Sequence, residues 1–269
     1  MSNLRRHGRR VRACGQGLGV VFALLLASSG TSRALASDGI PVDLELVIAA
    51  DVSTSMELAE KQLHRRGFAD AFRSPAIIDA IAAGDYGRIA VTYMEWGGPD
   101  NQKVVIPWVV LADRAGAEGF ADRLERTLPG KLRRGTSIGG ALSFAARLID
   151  ANEVSGVRRV VNLSGDGTDN TDSLLANVRA DVLARGITIN GLPIVYELTS
   201  GETTGGEASI TPEALVEYYK REVIGGPGAF VEPVAAAEDL QSAIERKLLR
   251  EIRAPLFDSR NETIIALRR

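Results

Sequence analysis

A chain of 269 residues, 45% hydrophobic and 25% charged, has the composition of an ordinary globular protein and room for one large domain or two small ones. Its 32 lysines and arginines against 34 aspartates and glutamates exclude a strongly basic nucleic-acid binder, and Cys14, the single cysteine, excludes an internal disulfide. Residues 1–36 stand apart. Five arginines within residues 5–12, an apolar run Leu18–Ala27 and the exit Ala34-Leu35-Ala36 predict a secretory signal peptide cleaved after Ala36. The run is short for a membrane span, an uncleaved anchor being the alternative, and the pairs Arg5-Arg6 and Arg9-Arg10 leave Sec and twin-arginine export both open. Without this segment 26 basic residues face 34 acidic ones, so the mature chain is acidic and without thiols. It is expected in the periplasm or secreted, with no nucleic-acid partner and no stable membrane span after cleavage.

After a linker at 37–41, Val42–Ala50 is nearly unbroken apolar sequence, as in a strand buried on both faces. Met56–Arg73 and Pro75–Ala83 read as helices. Arg88–Trp96 and Gln102–Leu111 read as strands joined by Gly-Gly-Pro-Asp-Asn, a turn that predicts an antiparallel hairpin. Pro107 assigns the second of them to a sheet edge, where a missing N–H does no harm. A helix over Ala115–Leu128 follows, then the loop KLRRGTSIGG and a helix over Ile138–Asp150. Val157–Leu163 is a strand, Ser173–Ala184 a helix and Ile187–Val195 a strand. Beyond the polar loop ELTSGETTGGEASI, Thr211 caps a helix reaching about Val223, Phe230–Val234 is a short strand, and Ala237–Ile252 is a helix with Leu240, Ile244 and Leu248 in register. A tail at 253–269 shows no strong pattern. Strands alternating with helices predict one α/β domain over 42–252, a doubly wound, mostly parallel sheet with one antiparallel edge strand.

In such sheets ligands sit beyond the carboxyl ends of the strands. Three segments bring oxygen side chains there: Asp51-Val-Ser53-Thr-Ser55, Gly135-Thr136-Ser137 and Ser164-Gly-Asp166-Gly. Hydroxyls and carboxylates without histidine or thiol suit a hard cation, Mg²⁺ above all, with Mn²⁺ or Ca²⁺ as alternatives. Two carboxylates and three hydroxyls make a poor cage, so such an ion would keep waters and accept an anionic ligand from outside.

The segments DVSTSM, GTSIGGAL and LSGDGTDN, in this order over residues 42–252, resemble the metal-ion-dependent adhesion site of von Willebrand factor A-type domains. The resemblance implies a Rossmann-like fold and an exported bacterial subfamily of unassigned function. It implies Ser53, Ser55 and Thr136 as direct metal ligands, with Asp51 and Asp166 reaching the metal through water. The partner would be a protein offering an Asp or Glu to that metal. One departure is Gly165, which stands where Thr or Ser is usual; the hydroxyl is then absent or supplied by Ser164.

Each segment also has a plainer reading. Asp51, Ser53 and Ser55 could cap the following helix, Thr136 could do the same, and Asp-Gly-Thr-Asp-Asn is a turn signal. A calcium loop counted from Asp166 fails, because Thr171 and Asn177 occupy its glycine and glutamate positions. Asp169, Asn170 and Asp172 are then expected in a solvated turn capping the next helix. Trp96 and Trp108 are expected to pack, and His64 to lie on a helix surface. The rival function is a metal-dependent phosphoryl-transfer hydrolase with Asp51 as nucleophile. Its second acid would fall at Ser53, which cannot serve as acid or base. A periplasmic solute-binding protein is disfavoured by the lack of a second lobe.

Overall fold

The apolar strand at 42–50 becomes the middle of a five-stranded sheet in the computed structural model, which describes residues 39–53, 58–128, 135–171, 174–196 and 210–255. The signal-peptide expectation lies outside these residues, as do Ser55, Asp172, most of the polar loop and all but the first three residues of the expected tail. In chain order the elements are β1 (Ile40–Asp51), α1 (Leu58–Arg73), α2 (Pro75–Ala82), β2 (Ile89–Trp96), β3 (Gln102–Leu111), α3 (Arg114–Arg126), α4 (Ile138–Asp150), β4 (Val154–Gly165), α5 (Leu175–Ala184), β5 (Thr188–Pro193), α6 (Pro212–Tyr218) and α7 (Leu240–Arg253). A π-helical turn, Tyr219–Val223, continues α6. The strand order is β3-β2-β1-β4-β5, parallel throughout except for the β2–β3 hairpin. This is the mixed α/β sheet anticipated from the alternation of elements.

Side chains alternate across β1 and feed two cores. Leu44, Leu46 and Ile48 pack with Phe68, Phe72, Phe120, Ile244 and Leu248 on the face covered by α1, α2, α3 and α7. Val47 and Ala49 pack with Trp96, Leu142, Leu163 and Tyr219 on the other. Pro107 does sit on the edge strand, exposed, where the β2–β3 register shifts around Tyr93. Thr92 Oγ1 donates to the Ile106 carbonyl there at 2.8 Å. The short strand expected at 230–234 is reduced to isolated bridges, Gly191 with Val231 and Ile194 with Val234. Gly191 N donates to Phe230 O and Val195 N to Val234 O, but Pro193 stands between them with no N–H to give, and the ladder breaks.

Two buried polar groups tie α1 and α7 to the sheet. Arg65 reaches Glu95 on β2 and the Thr127 carbonyl at the end of α3. On α7, Glu251 pairs with Lys247 and accepts from Asn162 Nδ2 and Asn190 Nδ2 at 2.9 and 3.0 Å. Among the described residues no helix is long and apolar enough to cross a membrane.

His64 corrects an expectation. It is buried, edge-on to Phe68 with ring centroids 5.1 Å apart, and its Nε2 has no hydrogen-bond partner among the described residues. Its neighbours three and four residues away share the core-facing stripe, so the imidazole is taken inside with them. Burial first, then the charge of Arg65, pushes its pKa down to about 4 from 6.5. Between those values the unfolded chain binds more protons than the folded one, so stability falls as pH drops from 6.5 toward 4. His64→Leu should therefore remove about 2 kcal/mol of the stability loss between pH 7 and pH 5. Urea denaturation at the two pH values checks this; an undiminished loss would place the acid sensitivity elsewhere.

Candidate metal centre

Asp51 ends β1 between two neighbouring strands, which forces its carboxylate into the crevice above the sheet. The side chain is 1% exposed. Oδ1 accepts the Ser53 N–H at 2.7 Å, the turn an Asp makes with the amide two residues on. Oδ2 has no hydrogen-bond partner among the described residues. Burial above all, then the charge of Asp166, raises the Asp51 carboxyl well above its usual range. Lys61, whose ammonium is lowered by burial, supplies an opposing positive charge. Val52 N donates to Trp96 O at 2.9 Å, so the turn is anchored on β2.

Thr136 and Ser137 lie in the loop before α4, both buried. Ser137 N donates to Gly97 O in the β2–β3 turn at 2.9 Å, and its hydroxyl caps α4 by accepting from Gly140 N. Gly135 has φ of +107°, and a side chain there would press on Gly98, 3.3 Å away. Asp166 follows the last residue of β4. The next residue, Gly167, faces Thr136: a Cβ on it would lie 3.8 Å from Thr136 Oγ1. Thus the structure brings Asp51 with Ser53, and Asp166 with Thr136, to the same end of the sheet, with Asp51 and Asp166 in electrostatic contact. Ser55 lies outside the described residues.

The turn after Asp166 leaves Asn170 exposed, as a solvated turn would, but Asp169 and Asn170 bond to the Thr136 loop and the start of α4. Asn170 Oδ1 accepts from Thr136 N at 2.8 Å, and Asn170 N donates to Thr136 O at 3.0 Å. Asp169 Oδ2 accepts from Gly139 N at the start of α4, where a carboxylate is also favoured by the helix dipole. Its Oδ1 holds Thr171, whose hydroxyl lies 3.1 Å from Ser137 Oγ. Asp169 N donates to Tyr218 Oη at 3.1 Å. The following helix instead starts after Leu174, in the left-handed region with φ of 49° and no side-chain cap. Asp169 and Asn170 therefore clamp two loops together, a role the run DGTDNTD does not distinguish from a free turn. Ser164 is likewise turned away: its buried hydroxyl is 3.4 Å from Ala49 O on β1, so it does not replace the one missing at Gly165. Both tryptophans pack as expected, Trp96 Nε1 on Ala49 O and Trp108 Nε1 on Leu148 O.

No three His, Cys, Asp or Glu side chains cluster as a metal cage among the described residues. The donors present are two carboxylates and neutral hydroxyls, which fit a hard, partly hydrated cation, and the unpartnered Asp51 oxygen is a buried acceptor such an ion and its water would satisfy. A cavity of about 710 Å³ lies elsewhere, between the starts of β4 and β5 and the end of α7, and none of these residues lines it.

The profile of a family described as protein of unknown function (DUF1194) matches residues 41–256. The chain belongs to this family. Its fold is that of von Willebrand factor A-type domains. The pilus adhesin SpaC of Lactobacillus rhamnosus GG, in its open conformation, superposes with a TM-score of 0.56 at 12% identity, covering 80% of this chain and 31% of that one. The von Willebrand factor domain of Mfa5, a type V pili tip protein of Porphyromonas gingivalis, gives 0.51 at 10% identity over 78% of this chain and 94% of that one. Proximal thread matrix protein 1 from mussel byssus, with a zinc-occupied metal-ion-dependent adhesion site, gives 0.51 at 14% identity over 80% and 46%. The DUF1194 chain thus spans about a third of SpaC and less than half of the byssus protein. No curated protein matches it by sequence.

Asn170→Ala should remove the side-chain acceptor of the Thr136 amide, a half-buried hydrogen bond, and cost about 1 kcal/mol. Urea denaturation measures the loss, and hydrogen exchange at the Thr136 amide should accelerate locally; unchanged exchange would show that the clamp does not hold the loop.

Proposed function

We propose that this DUF1194 protein is an exported, non-catalytic binding domain that engages a partner protein through a divalent cation. The observation that carries the reading is Asp51: a carboxylate sunk at the end of the central strand, one oxygen tied to Ser53 N and the other unsatisfied among the described residues, beside the second acid Asp166. A group so placed is costly in an apo fold and is compensated by a cation. Ser53, Ser55 and Thr136 would hold the ion through their hydroxyls, with Asp51 and Asp166 behind coordinated water. Mg²⁺ fits this donor set best, and Mn²⁺ or Ca²⁺ would also be accepted. When bound, the cation supplies a Lewis-acidic position for a carboxylate from outside.

The protein's own groups do the rest. The Asn170–Thr136 and Asp169–Gly139 hydrogen bonds hold one hydroxyl loop against the Asp166 turn, and the Ser53 amide fixes the rotamer of Asp51. The solved structures sharing the fold include two pilus proteins and a byssus protein with an occupied adhesion site, which supports binding outside the cytoplasm.

Mg²⁺ or Mn²⁺ should raise the melting temperature of the purified protein, and a chelator should reverse the rise. Asp51→Ala should weaken Mn²⁺ binding about 100-fold while the fold survives, as followed by calorimetry and circular dichroism. Wild-type protein indifferent to both ions would end the metal reading. A generic phosphate ester with Mg²⁺ should not turn over; hydrolysis abolished by Asp51→Asn would instead establish the phosphoryl-transfer alternative.

A further inference from the structure

Gly165 is the residue at which this chain departs from the adhesion-site pattern, and the structure shows what fills its place. A Cβ built on Gly165 would lie 2.8 Å from Tyr219 Oη, 3.0 Å from Asp51 Oδ2 and 3.2 Å from Trp96 Cζ2. A Cβ on Gly191, in the neighbouring strand β5, would lie 2.7 Å from Tyr219 Cδ1. Glycines on β4 and β5 therefore open a slot for one phenol ring. Glycine inside a strand weakens it and marks a close approach. Here the approaching group is Tyr219, which is fully buried.

Its hydroxyl has no hydrogen-bond partner among the described residues, and neither has Asp51 Oδ2. Two buried oxygens thus flank one point, one on a phenol that can donate and one on a carboxylate that accepts. Left apart, each would carry the desolvation cost of a buried, unmatched polar group. Tyr219 reaches this point because α6 widens into a π turn at its end, with Ile224 N donating to Tyr219 O at 3.0 Å. Such turns recur at functional sites. The preceding residue, Tyr218, meets Asp169 in the Asp166 loop, so adjacent tyrosines brace both acidic segments.

We infer that Tyr219 is a positioning residue of the Asp51–Asp166 site: its phenol donates to Asp51 Oδ2 through one water, and supplies from the π turn after α6 the hydroxyl that Gly165 lacks. This rests on the metal-binding reading above. Tyr219 touches neither partner nor ion; it orients the carboxylate that does the holding.

The test is a pair of substitutions read by Mn²⁺ calorimetry on the purified protein, with melting temperature recorded for each variant. Tyr219→Phe should weaken Mn²⁺ binding about 10-fold. Gly165→Ser alone should also weaken it, because its Cβ enters the space held by Tyr219 Oη. In the double variant, Tyr219→Phe with Gly165→Ser, the phenol oxygen is gone and a serine hydroxyl takes its place, so affinity should recover toward wild type. A merely structural tyrosine predicts no such recovery. Wild-type affinity in Tyr219→Phe, in protein whose binding is lost in Asp51→Ala, overturns the inference and spares the metal site. Absence of Mn²⁺ binding in the wild type removes both.

Discussion

One buried carboxylate sets the terms for the upper end of this molecule. Asp51 terminates the strand with a neighbour on each side, so it has no route to bulk water except through the crevice it faces. Its Oδ1 is satisfied by the backbone two residues on, which pins the side chain in place and leaves Oδ2 as an acceptor without a donor among the described residues. Every nearby arrangement answers that condition. Lys61 brings positive charge, Gly165 gives up its side chain, Tyr219 brings a phenol, and Trp96 closes the floor. A buried polar group left in this state calls for a partner.

The crevice is assembled from segments that do not follow one another, and their mutual hydrogen bonds explain how it keeps its shape. The Thr136 loop hangs from the β2–β3 turn through Ser137 N and from the Asp166 turn through Asn170 and Asp169. These are side chain-to-backbone contacts between different loops, so a shift of one segment is felt by the others. The helices behind them are fastened at greater depth, α1 by Arg65 to Glu95 and α7 by Glu251 to two asparagines of β4 and β5.

Much of this was legible in the residues because the signals were local. Apolar continuity marked β1 as central, Gly-Gly-Pro-Asp-Asn marked the hairpin, and Pro107 marked the edge. The three oxygen-bearing segments were each visible as a turn beside a strand or helix start. What could not be read depended on distant partners. His64 is drawn inside by Phe68 and the core face of α1, although its helix neighbours Glu60 and Arg65 suggest a polar surface. The Asp169–Asn170 pair has the composition of a solvated turn and becomes a clamp because Thr136 arrives from elsewhere. Tyr219 carries no motif at all; its role needs glycines on two other strands to make room. The broken strand at 230–234 follows from Pro193, whose missing donor matters only once the two segments lie side by side.

That interrupted segment has a further consequence for how the molecule can be gripped. On one flank of the sheet, residues 230–234 occupy most of the outer hydrogen-bonding positions of β5. On the opposite flank, β3 carries an exposed proline and an irregular register. Neither side offers a clean ladder on which a foreign strand could zip itself. Association by extending the sheet sideways is thereby discouraged, whether with another copy or with a stranger.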